Sequence, residues 1–481
     1  MKVTLDSTMK ATKAAVGQGA RHLKEAVNRG LDRSVRLAVT GLSRSGKTTY
    51  ITSVLHHLLH GVDTANLPFF TPARERRLLG VRRVEHLNLD VAAFPYEAAL
   101  AALGEAGRWP DSTRGLAETR LVVRYRPEAF LRKWLADAGT LYLDIIDYPG
   151  EWLLDLPLLQ LSYEDWCRES WRRFEQEPRR SLLGAWEGAV KALDPAAPAD
   201  DGIIRDVSAA YVEFLRRCKD PRFALSIIQP GRFLLPGDLA GTPVLSFFPL
   251  PPERLAEAGA GAATRSYQAV LRERYEYYKE HVVKAFYRRH FASFDRQIVL
   301  VDCLSALNVG PECVRDMQEA VTLILKSFSY GKSGILTRLF RPKIDRVLFA
   351  ATKADHVTPN QYHNLELFLR RLVTEARNEI QFQGIETECL ALASVRATEP
   401  AVAEFQGQKI SCLRGIRDSD KTLVALFPGE VPTEIPAASD WHDRFNFIDF
   451  APPQLRDLRY GPIPHIRLDQ SLEYLLGDKF G

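Results

Sequence analysis

The run Gly41-Leu-Ser-Arg-Ser-Gly46-Lys47-Thr48 has the residue types and spacing to hold a phosphate chain, G-x-x-x-x-G-K-[ST]. Each part has a physical reason. The loop must turn several backbone N–H groups around one phosphate, and a Cβ at the glycine positions would obstruct that path. A helix that begins where the loop ends aims its first N–H groups at the anion. Lys47 puts a point charge on the outer phosphates, and the Thr48 hydroxyl is a magnesium ligand. Ser43, Arg44, Ser45, Gly46 and Thr49 complete the group expected around the phosphates. A second near-match, Gly331-Lys332-Ser333, lacks the upstream glycine and a preceding strand, and reads as a turn.

Asp147-Tyr148-Pro149-Gly150 has the D-x-x-G form. Asp147 closes the strand-like run TLYLDIID, so its carboxylate is expected at the strand end near the phosphates, holding magnesium through water. The Gly150 N–H could reach a γ-phosphate and sense its presence. Asp144, read as facing the same side, is a competing ligand. Glu151 stands where many GTPases carry a glutamine that orients the attacking water. An ionised Glu can accept from water but repels the γ-phosphate, so fast intrinsic hydrolysis is not expected, although Glu151 stays a catalytic candidate. Thr113, in WPDSTRGL, is the candidate to close over magnesium, and fits better than Thr119 inside the strand TRLVVRYR. Arg44 and Arg114 are possible cationic partners of the phosphates, with solvated loop arginines the plainer reading.

Thr352-Lys353-Ala354-Asp355 has the TKxD form and follows the apolar run IDRVLFAA. An aspartate can accept from both N1–H and the exocyclic amine of guanine, a donor pair that adenine lacks. The Lys353 stem is expected against the base. The small-residue stretch Ala391–Val395 ends another strand, and a backbone N–H at Ser394 or Val395 is placed to touch guanine O6. GTP or GDP with Mg2+ is the expected ligand set.

Elements must carry these loops to one place. Strand-like runs at 35–40, 119–126, 140–147, 297–303, 344–351 and 386–393 alternate with helical stretches such as 311–328 and 361–380. That alternation predicts an α/β fold of the P-loop GTPase kind, a mainly parallel sheet flanked by helices. Residues 61–118 show no clear signal. The expected organisation is a basic N-terminal helix over 1–34, a nucleotide-binding domain in two parts over 35–150 and 297–427, a helical insertion over 151–296, and a C-terminal extension over 428–481. The extension reads as mostly irregular, with a short amphipathic helix at its end.

Among 481 residues, 46% hydrophobic and 26% charged, there is ample material for folded cores. A net charge of +4 does not suggest a nucleic-acid binder, and no nucleic-acid partner is expected. The cysteines at 167, 218, 303, 313, 389 and 412 have no CxxC spacing and read as small buried residues in a reducing compartment. No run approaches the ~18 apolar residues of a membrane span, and a cytoplasmic location is expected. The basic N-terminal helix leaves open attachment to the periphery of the inner membrane, with packing on the body of the protein the plainer reading. The Trp- and Arg-rich surface of the insertion is the expected contact for a protein partner.

With these residues assembled, the sequence resembles the YcjX-like family of P-loop NTPases. The resemblance lies in VTGLSRSGKTTYITSVLHHLL, DYPGEWL, FAATKADHV, LALASVRAT and PHIRLDQSLEYLLGDK, and covers most of the chain. It implies a GTPase-like domain with a helical insertion, guanine-nucleotide binding, and an association with bacterial stress and phage-shock gene clusters. The reading is a slow GTPase acting through two conformations. An ATP-driven stress ATPase and a nucleotide-bound scaffold without turnover are the alternatives.

Overall fold

The structure, a computed structural model, describes residues 33–42, 44–60, 66–112, 115–128, 138–255, 265–326, 344–405, 407–441, 445–453, 455, 458 and 461–481. The basic helix expected over 1–34 lies outside these residues except for its last two, which instead open a strand.

The main sheet holds β1 (Arg33–Gly41), β2 (Leu78–Val84), β3 (Ala92–Ala93), β4 (Ala117–Tyr125), β5 (Gly139–Asp147), β6 (Arg296–Val301), β7 (Arg346–Ala351) and β8 (Glu386–Ala391). Its order is β2-β4-β5-β1-β6-β7-β8, with β3 beside β4. From β5 to β8 every pair is parallel, whereas β4 runs antiparallel to β5 and to β2. The central strands RQIVLV and RVLFAA are rich in β-branched and apolar residues because both of their faces are covered. Alternate residues serve separate cores. Ala38, Ile146, Val299 and Phe349 face one, while Leu37, Val39, Ile145 and Leu348 face the other.

The second face holds the helix Lys47–His60 and the C-terminal helix Leu468–Leu476. Tyr50 and Ser471 hydroxyls join them at 3.0 Å. The first face continues without a break into the helices between β5 and β6. Asp200 caps the helix Asp201–Cys218 by accepting from Gly202 and Ile203 N–H, and Ser162 caps Tyr163–Phe174 in the same way from Asp165 N–H. The insertion's Trp152, Trp166, Trp171 and Trp186 are all buried here, with Trp166 stacked on Tyr275 and Trp186 on Phe214. The expected Trp-rich partner surface is therefore core; the helical spacing that suggested it is that of an apolar stripe turned inward.

The chain does not end its strands at β8. Residues 398–426 form a second, antiparallel sheet of β9 (Thr398–Phe405), β10 (Gln408–Ile416) and β11 (Leu423–Leu426). No described helix is long and apolar enough to cross a membrane. All six cysteines are buried free thiols.

Candidate functional site

β1 delivers the chain to Gly41, and the helix Lys47–His60 starts six residues later. Gly46, at φ +80°, turns the loop into the helix in a conformation that a side chain would strain. Lys47 Nζ donates to Gly41 O at 3.2 Å, so the ammonium lies back across its own loop. The Thr48 hydroxyl donates to Asp111 O at 3.1 Å, and a donating hydroxyl can still ligate a cation through its oxygen. Ser43, Thr113 and Arg114 lie outside the described residues. Trp109–Ser112, which lead to Thr113, line the same cavity as the loop.

Asp147 ends β5 opposite Val39 of β1, so its carboxylate reaches the loop end of the sheet, where it is buried. Asp144 does not share its face. It stands three residues earlier, an odd spacing that turns it to the other side of the strand, where Arg120 pairs with it at 3.4 Å. Gly150 presses on the phosphate loop: a Cβ there would lie 2.2 Å from Gly41 O.

Glu151 is not poised over an open water site. It is buried, and Lys219 of the insertion donates to its Oε1 at 2.5 Å. Burial acts to raise its pKa, but the Lys219 and Lys47 ammonium groups together outweigh burial and hold the carboxyl below the ordinary glutamate value. The next turn is bound into the insertion. Asp155, wholly buried, accepts from Gly231 N–H at 2.8 Å and from the Tyr278 hydroxyl at 2.5 Å. Burial, opposed by those hydrogen bonds, pushes its carboxyl up to about 7.

At the other end of the cavity, Asp355 is buried in the turn after β7. One of its oxygens accepts from Ala397 N–H at 2.8 Å. Lys353 takes a left-handed backbone conformation, φ 59°. Its ammonium sits between Asp302 at 2.8 Å and Asp449 at 2.7 Å. Burial alone would lower its pKa; the two carboxylates outweigh it and raise it above the usual lysine range. Ser394 O accepts from Ser53 Oγ at 2.7 Å, tying the Ala391–Val395 loop to the helix that follows the phosphate loop.

One cavity of about 860 Å3 is lined by Arg44–Thr49, Glu151, Lys353, Asp355, Ser394 and Val395. The loops singled out in the sequence, some 300 residues apart, thus meet. The structure also brings in residues that the sequence did not suggest: Trp109, Lys219, Asp418, Asp449 and Phe450 line it, and Asp302 holds Lys353 from behind. Trp109 Nε1 donates to Phe450 O at 2.9 Å, so the irregular tail forms part of the wall. Thr48, which lines the cavity, and Asp147, at the end of β5, are oxygen donors of the kind that suits a hard cation such as magnesium that keeps water and phosphate oxygens. No group of three or more His, Cys, Asp or Glu among the described residues could hold a metal unaided.

The sequence profile of the YcjX-like family, DUF463, matches residues 35–480. A protein of Escherichia coli K12 named Ras-like GTPase YcjX is 46% identical over 461 residues, 95% of this chain and 98% of its own length. A protein of the same name from Shewanella oneidensis MR-1 is 42% identical over 467 residues, covering 94% of this chain and 96% of its own. Matched along nearly all of its length, the chain belongs to the YcjX-like family.

Proposed function

We propose that this protein is a guanine-nucleotide-binding GTPase of low intrinsic turnover that works as a conformational switch. The observation that carries the reading is one shared cavity, walled at one end by the phosphate loop and at the other by Asp355. In this reading Ser43–Thr49 cradle the phosphates, Asp355 reads the guanine edge, the Lys353 stem lies on the base, and the loop at Ser394 and Val395 offers N–H to O6. Thr48, Asp147 through water, and Thr113 hold magnesium, which when bound neutralises charge on the outer phosphates. The names given to the two relatives support the GTPase part of this reading. A place in a bacterial stress response rests on the family resemblance alone.

Low turnover follows from Glu151. Ion-paired and ionised, it has no proton to offer a γ-phosphate, and its charge opposes one. Switching follows from the packing of the next turn. Gly150 touches Gly41, and Asp155 is bonded to Gly231 and Tyr278, so any pull on Gly150 is transmitted to the insertion.

The test is calorimetric titration with GTP, GDP and ATP in magnesium. Both guanine nucleotides should bind well over tenfold tighter than ATP, as expected where a buried acceptor pairs with one base and not the other. Equal binding of ATP and GTP would favour the stress-ATPase alternative. A second expectation concerns Gly150→Ala. The added methyl must push Gly41 away, so GDP and GTP should both weaken, by roughly tenfold if one charge-assisted phosphate contact is lost. Unchanged affinities for the variant would mean that Gly150 does not support the loop.

A further inference from the structure

Lys219 carries no motif, yet it is placed with care. It caps the C-terminal end of the helix Asp201–Cys218, where its charge is favoured by the helix dipole. Its N–H donates to Leu215 O and Arg216 O, both at 3.1 Å. A few residues on, Ser226 and Ile227 N–H groups donate to Asp316, whose carboxylate pairs with buried Arg179 at 2.5 Å. The base of Lys219 is thus fixed on both sides while its ammonium enters the cavity. Asp220, the next residue, pairs with Arg222 at 2.9 Å and lines the same cavity as Arg44 of the phosphate loop.

The Lys219–Glu151 pair is no surface ion pair: the Glu151 side chain is 6% exposed and that of Lys219 25%. Breaking such a pair leaves a buried charge uncompensated, unless another partner is at hand for each member. Lys47, whose field already acts on Glu151, is that partner on one side. A third phosphate would be that partner on the other. It brings more negative charge than a carboxylate and three acceptor oxygens, which bind an ammonium strongly.

We propose that Lys219 is a γ-phosphate ligand supplied by the helical insertion, held by Glu151 when the bound nucleotide is a diphosphate and transferred to the phosphate when it is a triphosphate. This rests on the nucleotide-site reading above. Lys47 cannot make the distinction alone, because it serves the β-phosphate as well. The exchange ties the helix Asp201–Cys218 to the phosphate chain, and gives the insertion a direct contact that exists in one nucleotide state only.

The experiment is calorimetric titration of the parent, Lys219→Ala, Lys219→Arg and Glu151→Gln with GDP and a non-hydrolysable GTP analogue, magnesium present. Lys219→Ala should lose roughly tenfold or more in affinity for the triphosphate, the scale of one charge-assisted contact, with GDP changing by less than about threefold. Lys219→Arg should restore most of the loss. Glu151→Gln, which releases Lys219 and removes a competing anion, should strengthen the triphosphate preference. Equal losses for both nucleotides in Lys219→Ala, or no loss for either, would overturn the proposal, as would an unchanged or weakened triphosphate preference in Glu151→Gln. A parent that prefers adenine nucleotides would sink the base assignment instead. The same comparison with ADP and an ATP analogue would then still decide for or against Lys219.

Discussion

Lys47→Ala should lose affinity for GTP and GDP alike, by a factor of about ten to a hundred or more, while the protein stays folded. The magnitude follows from the phosphate contacts at stake, about 1.5–3 kcal/mol for each hydrogen bond to a charged group. Retention of the fold follows from the position of the side chain. Lys47 is half-buried at the first turn of its helix, and its ammonium donates to the carbonyl of Gly41 at 3.2 Å. Its removal opens no apolar cavity. It does remove one of the two cations that stabilise the Glu151 carboxylate, but the 2.5 Å pair with Lys219 remains. Titration with both nucleotides, beside a thermal melt, separates the two effects. A variant that melts like the parent and binds GTP as tightly would show that this loop does not hold phosphate.

Those features of the site that the sequence made legible are local. The phosphate loop, Asp147-Tyr148-Pro149-Gly150 and Thr352-Lys353-Ala354-Asp355 each sit at the C-terminal end of a strand, and a parallel sheet brings such ends together whatever chain lies between them. The buried central strands were legible for a related reason, since a strand covered on both faces must be apolar throughout. Lys219, Asp302, Asp449 and Phe450 had no comparable signal. They reach the cavity through packing of segments whose own patterns say helix cap, strand end or irregular tail. The tryptophans misled because amphipathic spacing marks a face without saying whether it turns to solvent or core. The edge strand β2 was obscured by Arg82 and Arg83, which interrupt its apolar pattern, as suits a strand paired on one side only.

Asp355→Asn should exchange guanine for xanthine. The argument starts from the bond that the base does not make. One Asp355 oxygen already accepts from Ala397 N–H at 2.8 Å. In the asparagine variant the amide nitrogen cannot take that place, because a donor would then meet a donor. The amide oxygen must stay on Ala397, and the NH2 group must turn to the side where the base is read. Guanine presents its amine there, so donor would face donor and the charge-assisted pair would be lost, while N1–H of either base still donates to the amide oxygen. Together these are worth about 3 kcal/mol or more, over a hundredfold in GDP affinity. Xanthine carries a carbonyl in place of the amine, and that carbonyl accepts from the new NH2. Phosphate contacts are untouched by the change, so xanthosine diphosphate should bind the variant nearly as tightly as GDP binds the parent. Titration of both proteins with both diphosphates measures the full exchange. A variant that keeps its GDP affinity would remove Asp355 from the base site, and with it the argument for guanine over adenine.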